Sequence, residues 1–463
     1  MSHETGTWCC EFELSDGRFA AVMPRVPAQL CSAPADGAEH NRPERSYAAA
    51  RVLVRLHGEP LGYLTLPLAS AVADTVTREA HAAFAGRIAA HLAAEQLSGI
   101  SAATDACPNR VVAGELVSVV VCTRNRAGQL GACLDRLRAL TYPNLEILVV
   151  DNAPTDDSTR RVIEAAAASD PRFRYVVEPR PGLSCARNKG LAEARGTYLA
   201  YTDDDVAVDA GWVQGLLKGF ASAADVGCVT GLVATAEIAG AAEEYFDARA
   251  ASWSTRCEPQ RFDLDGSAPA DDALYPYSPG IFGTGANLAF DRAMLVELGG
   301  FDEALGAGTR TRGGEDLDIF VRVLRAGRAL VYEPAALVWH HHRADRDALL
   351  SQMFGYGTGL SAFITKCLLQ PGTRREVLGR IPLGLRRMAG IRTQTKERLS
   401  ATVEAPRGAM LREFLGFGAG PVLYLRARRA VRVQGDGAVR VQGDGAVGAQ
   451  GDGAVGARAA SAR

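Results

Sequence analysis

The sequence predicts an α/β protein: a nucleotide-binding type of domain with a mostly parallel sheet, a small α+β module before it and a helical extension after it. Three observations carry this. Strand-like apolar runs alternate with segments of helical period between residues 117 and 203, the signature of successive βαβ units. A stretch of small residues with Pro108, from Ser101 to Gly114, separates that region from what precedes it. After residue 346 apolar residues recur at helical spacing and basic residues accumulate. The expected divisions are an N-terminal module over 1–100, a linker over 101–115, the central domain over 116–345, a basic helical extension over 346–429 and a repeat tail over 430–463.

At 463 residues, 47% hydrophobic and 22% charged, the chain has the composition of a soluble globular protein of two to three domains. A net charge of −2 gives no global attraction to nucleic acid, and no nucleic-acid partner is expected. The ten cysteines contain no C-x-x-C pair and several sit inside apolar runs. They read as small buried hydrophobes in a reducing compartment. A basic n-region followed by an apolar h-region is not seen near Met1, and no apolar run reaches about 18 residues. A cytoplasmic protein is expected, with peripheral contact to the inner face of a membrane allowed.

In the first module, Trp8 to Leu14 is strand-like. Ala50 to Leu56 and Leu61 to Leu66 read as a hairpin across a turn containing Gly58 and Pro60. Val76, Ala80, Phe84, Ile88 and Leu92 lie at helical spacing. His81 and His91 fall on that helix and are read as surface or packing residues. No catalytic constellation stands out in this module.

The central domain opens with Leu116 to Cys122, a near-continuous apolar run suited to a parallel strand covered on both faces. Thr123 to Gly128 is a turn, and Leu130, Cys133, Leu134, Leu137 and Leu140 mark a helix. Leu145 to Val150 is the second strand, ending in Asp151 and Asn152. Phe173 to Val177 is the third, leading into a helix from Cys185 to Arg195. Gly196 to Thr202 is the fourth and ends in three carboxylates, Asp203, Asp204 and Asp205. Open α/β sheets bind ligands outside the carboxyl ends of their strands, and clustered oxygens suit a hard cation that also holds phosphates. Neither a G-x-G-x-x-G after the first strand nor a G-x-x-x-x-G-K-[ST] occurs, which disfavours dinucleotide enzymes and P-loop NTPases.

The ordered set Val117–Arg126, Glu146–Asn152, Gly182–Gly190, Asp203–Asp205, Gly283–Asn287, Leu298–Asp302 and Gly313–Asp318 resembles the family 2 glycosyltransferases, whose domain is called the GT-A fold. The resemblance covers about half the chain. It implies transfer of a sugar from a nucleoside-diphosphate sugar to an acceptor hydroxyl, by single displacement with inversion, with Mn²⁺ or Mg²⁺ as cofactor. It places Thr123 and Asp151 against the donor's nucleobase and ribose. Arg187, or alternatively Arg180, is placed near base or diphosphate. Asp205 is implied as the direct metal ligand, with Asp203 or Asp204 towards the ribose and Asp203 also a metal candidate. Asp316 is implied as the general base and Glu315 as an acceptor contact, while Asp318 is read as structural. Both acids at 315 and 316 open a helical pattern, so capping is the competing role.

In Val338–Arg343, strand alternation turns His340 and His342 to one side and His341 to the other; the resemblance implies that a histidine at such a place completes the metal or diphosphate site, and His340 is the candidate metal ligand. Residues 222–279, the least patterned part of the domain, are where acceptor specificity would reside. From Pro371 to Arg429, 13 Lys and Arg stand against 4 Asp and Glu, a balance suited to an anionic membrane face. Val431–Ala438 repeats twice more with a period of eight residues and reads as disordered low complexity. Two alternatives are a sugar-phosphate nucleotidyltransferase, whose Gly-rich basic loop is not matched by Thr123–Arg126, and a non-catalytic nucleotide or sugar-binding module.

Overall fold

The computed structural model describes residues 6–20, 47–97, 114–269, 272–278, 280–343, 345–399 and 406–445. The bulk of the linker, the prolines between 24 and 43, Cys31, Cys107 and the last repeat lie outside the described residues.

The first module is a four-stranded sheet, β1 (Gly6–Glu13), β2 (Arg18–Ala20), β3 (Tyr47–Leu56) and β4 (Glu59–Pro67), in the order β2-β1-β3-β4. The expected hairpin is present: Leu56 pairs with Glu59 across a two-residue turn, His57-Gly58, both with positive φ. Helix α1 (Ala73–Leu97) covers one face. Strand alternation divides the burial. Cys10, Val52 and Val54 pack with Val76, Ala80 and Ile88 of α1, whereas Cys9 and Leu53 face Leu232, Ala234, Leu337 and Trp339 of the central domain. Charged contacts reinforce this docking, with Arg55 on Asp209 at 2.8 Å and Arg51 on Asp247 at 2.7 Å.

The central domain begins with β5 (Val117–Thr123), α2 (Ala127–Arg138), β6 (Leu145–Asn152), α3 (Ser158–Ser169), β7 (Phe173–Glu178), α4 (Leu183–Glu193) and β8 (Tyr198–Asp203). The four strands read from the sequence pair in parallel, in the order β8-β5-β6-β7. The register lines up the site, because Thr123 pairs with Asp151 and Cys122 with Asp203. The chain continues through β9 (Val206–Val208), α5 (Trp212–Ala221), β10 (Val226–Thr235), α6 (Ala241–Ser254), β11 (Gln260–Phe262), β12 (Asn287–Asp291), α7 (Arg292–Glu297), α8 (Glu315–Arg325) and β13 (Ala329–His340). The antiparallel β12 lies between β8 and β10. Asn287 fixes this junction from full burial: its amide donates to Leu232 and Ala336 carbonyls, and its oxygen accepts from the Trp212 indole. Separate apolar clusters cover the two faces of the sheet.

Three helices follow, α9 (Arg346–Leu369), α10 (Pro371–Arg398) and α11 (Ala409–Gly445). Helix α9 packs on the turn before α8, where Gly314 has φ +90° and a Cβ built there would lie 2.5 Å from the Gly359 carbonyl oxygen. Helices α9 and α11 also meet through small residues, Gly357 and Ser361 against Gly416 and Gly420. Helix α11 continues to Gly445, through the first repeat and into the second.

Candidate active site

A cleft of about 760 Å³ opens at the carboxyl ends of the strands and is lined by Arg126, Arg187, Asp203, Asp205, Glu315, Asp316, His340, His342 and Arg343. Strand β8 delivers Asp203 at its last residue, and the Asp204-Asp205 turn leads directly into β9. Helix α8 delivers Glu315 and Asp316 in its first turn. Strand β13 delivers His340 at its last residue. Acids separated by more than a hundred residues in sequence therefore face one cavity.

Arg187 holds the two acidic groups in relation. Its side chain is 2% exposed. Nη1 donates to Glu315 Oε1 at 3.2 Å, Nη2 donates to the Gly285 carbonyl at 2.8 Å, and Nη2 stands 3.6 Å from Asp203 Oδ1. The guanidinium also lies over the Phe301 ring at 5.3 Å. Burial pushes the Asp203 carboxyl up to about 7, with Arg187 opposing and Asp205 adding to the rise. Burial likewise pushes Glu315 up to about 7, with neighbouring Asp316 adding and Arg187 opposing. One buried cation thus stabilises a site with several acids.

Asp316 accepts from the Gly285 N–H at 3.1 Å through Oδ2 and from the Leu317 N–H at 2.8 Å through Oδ1. It lies at the helix N-terminus, as the capping role requires, and it lines the cleft as well. Asp205 Oδ2 is 3.2 Å from Arg126 Nη1 and 3.4 Å from Arg343 Nη2. Asp318 is bound by Arg322 at 2.8 Å and Lys366 at 2.7 Å, which agrees with a structural role.

Three expected donor residues are not among those lining the cleft. Asp204 is buried, accepting from the Thr123 hydroxyl at 2.7 Å and from Arg126 at 2.7 Å. Asp204 and Thr123 are therefore partners, and neither lines the cavity. Asp151 is fully buried, accepts from Tyr175 at 3.1 Å through Oδ2 and has no hydrogen-bond partner for Oδ1. Arg180 is occupied by Glu178 and Glu303 outside the cleft. Arg187 lines the cleft with its hydrogen bonds already directed at protein groups.

His340 and His342 both reach the cavity, as alternation predicts, with their Nδ1 atoms 3.1 Å apart. His342 Nε2 meets the Thr235 hydroxyl at 3.0 Å, and that hydroxyl donates to Asp247. Burial lowers the pKa of His340 and takes that of His342 well below the usual imidazole range, so both rings are held neutral.

Asp203, Asp205 and the neutral His340 imidazole form an O,O,N donor set suited to a divalent cation. Among the described residues they are not gathered within 4.8 Å of one another. A Mg²⁺-like ion needs only one or two carboxylates when phosphates and water complete its shell, so the residues fit such an ion bound together with its ligand.

Several lining groups were not read from the sequence. The loop between Gly306 and Gly313 contributes Ala307, Gly308, Thr309 and Arg312, α6 contributes Phe246, and α9 contributes Ser351, Gln352 and Tyr356. Nothing local marks Phe246 or Tyr356 as site residues.

Residues 118–256 match the family described as Glycosyl transferase family 2. The chain is 28% identical over 247 residues to a pre-mycofactocin glycosyltransferase of Mycobacterium tuberculosis, covering 52% of this chain and 46% of that protein. It is 25% identical over 248 residues to a glucosyl-dolichyl phosphate glucuronosyltransferase of Haloferax volcanii, covering 52% and 75%. A mannosyltransferase of Pyrobaculum calidifontis, solved with GDP-Man and Mn²⁺, superimposes with a TM-score of 0.44 at 19% identity over 75% of this chain and 95% of that one. The chain spans half or less of the length of the first curated relatives it matches.

Proposed function

We propose, from the match of residues 118–256 to the family described as Glycosyl transferase family 2, that the chain moves a sugar from a nucleoside-diphosphate sugar to an acceptor hydroxyl with inversion. The observation that carries this is one cleft with carboxylates in two places: Asp203 and Asp205 at a strand end, and Asp316 at a helix start. Asp316 takes the proton of the acceptor hydroxyl as its oxygen bonds to the anomeric carbon. The bond from that carbon to the donor phosphate oxygen breaks, and its electron pair leaves with the nucleoside diphosphate. Asp205, Asp203 and the neutral His340 would hold Mn²⁺ or Mg²⁺, which supplies Lewis-acid stabilisation of the leaving diphosphate.

Arg187 keeps Glu315 and Asp203 in position, and Glu315 borders the acceptor side. The unpartnered Asp151 Oδ1 and the Thr123 hydroxyl lie at adjoining strand ends on the donor side. Thr123 acts there through Asp204. Phe246 and Ser254 bring the 222–279 region to the cleft, which supports its role in acceptor choice.

We also propose a cytoplasmic location with peripheral membrane contact. Among the described residues no helix is long and apolar enough to cross a membrane. Leu378, Leu383 and Leu385 of α10 and Leu411, Phe414, Leu415 and Leu425 of α11 are exposed in the basic extension, an amphipathic composition suited to an anionic surface.

Incubation with Mn²⁺ and a panel of nucleotide sugars tests the enzymatic reading. Release of nucleoside diphosphate from at least one donor is expected. Nucleotide binding with no hydrolysis or transfer for any donor would replace this reading with that of a binding module.

A further inference from the structure

We propose that His57, His91 and Glu95 form a Zn²⁺ site in the N-terminal module, separate from the cleft. The inference does not depend on the glycosyl-transfer reading. His57 occupies the tip of the β3–β4 hairpin, and His91 and Glu95 lie one turn apart near the end of α1, so two elements distant in sequence converge. His57 Nδ1 is 2.6 Å from Glu95 Oε1, His91 Nε2 is 3.0 Å from the same oxygen, and the two ring nitrogens are 3.3 Å apart. Among the described residues this is the one set of three His, Cys, Asp or Glu side chains whose ligand atoms all fall within 4.8 Å of one another.

The surroundings hold these atoms in place. The Glu95 side chain is 5% exposed, that of His91 8% and that of His57 23%, so one edge of the cluster opens to solvent. His57 adopts φ +52°, in a turn that more often takes Asn or Asp before glycine. The Glu13 carboxylate clamps that turn, accepting from the His57 N–H at 2.8 Å and the Gly58 N–H at 3.0 Å. The His57 ring is thereby directed to α1 by backbone bonds independent of the cluster.

The chemistry selects the ion. Two imidazoles and one carboxylate suit Zn²⁺, which binds such sets at about 2.0–2.2 Å, placing tetrahedral ligand atoms roughly 3.4 Å apart. The two nitrogens already match that spacing, and Glu95 needs to withdraw by less than about 1 Å. A water or an external ligand would fill the fourth position at the exposed edge. The hard O-rich set at Asp203 and Asp205 favours Mg²⁺ or Mn²⁺ instead, so the two sites sort ions by ligand type. His91 therefore has a role beyond the surface or packing one that its helical position suggests, whereas His81 is exposed as expected. The spacing His91-x-x-x-Glu95 was the local signal, and His57 could not be joined to it without the fold.

A bound ion would tie the hairpin tip to α1. Arg87, one turn before His91, donates to the Leu61 carbonyl and to the Cys257 carbonyl of the central domain, so the clamp would also steady the docking of the module.

The test uses the full chain, stripped with chelator and titrated with Zn²⁺ in excess Mg²⁺. The proposal expects one equivalent bound and a rise in melting temperature. His91→Gln and His57→Ala should each weaken binding by at least about tenfold, the lower end of what even an outer-sphere substitution costs. Co²⁺ added to the unsubstituted protein should give the intense visible bands of a tetrahedral site. The proposal is overturned by no Zn²⁺ uptake, by unchanged affinity in both variants, or by the weak spectrum of octahedral Co²⁺ in unsubstituted protein, which needs no variant to fold.

Discussion

Arg187 Nη1 donates to Glu315 Oε1 at 3.2 Å, from a guanidinium that is almost wholly buried between the acids of the strand end and those of the helix start. This bond joins residues 128 positions apart in sequence and sets how the two acidic groups face one cleft. Removing one partner of a buried charged pair leaves the other uncompensated. Arg187→Ala should therefore cost about 3–5 kcal/mol of stability, read by urea unfolding. Arg187→Lys should recover only part of it, because an ammonium cannot serve Glu315 and Gly285 with a planar fork.

Metal dependence should follow Asp205. With Asp205→Asn, nucleotide-sugar binding in the presence of Mn²⁺ should weaken by about tenfold or more, as expected for loss of an ionic ligand, while binding without Mn²⁺ should change little. Calorimetric titration with and without the ion reads the difference. An unchanged Mn²⁺ dependence would remove Asp205 from the ligand set.

The raised carboxyl of Asp203 gives a pH signature in the metal-free protein. With a folded value of about 7, above the usual range near 4, the group favours the folded state at low pH, and that contribution is lost as pH rises from about 4 to 7. Asp203→Asn removes the titration. The variant's melting temperature relative to wild type should therefore be higher at pH 7.5 than at pH 4.5, by differential scanning calorimetry without divalent ions. A difference independent of pH would place the Asp203 carboxyl in the ordinary range.

Much of this site was legible in the sequence because its acids are tied to element boundaries. Asp203 ends a strand and Asp316 begins a helix, and both boundaries are set by local periodicity and glycine. What those acids touch was not legible. The Thr123–Asp204 hydrogen bond depends on the strand register, and the commitment of Arg187 to Glu315 depends on how α4 meets α8. The antiparallel β12 was missed because a five-residue apolar run after a glycine-rich loop has no period long enough to read. The α9 wall of the cleft was not legible either, since its glycines serve close helix contacts and its cavity residues share the same helical period.

The basic extension should bind membranes by charge first. Sedimentation with anionic liposomes at low salt should pellet the protein, and about 1 kcal/mol per basic residue near the surface implies release as salt rises. Failure to pellet at low salt would end the peripheral reading.

The division of labour between Asp316 and the strand-end acids is tested most directly by measuring transfer and nucleotide binding on one preparation of Asp316→Asn. Transfer should fall by about 10²–10⁴-fold, the usual contribution of a positioned general base, with nucleotide affinity close to wild type. Transfer at near wild-type rate would contradict the assignment of Asp316 as the base.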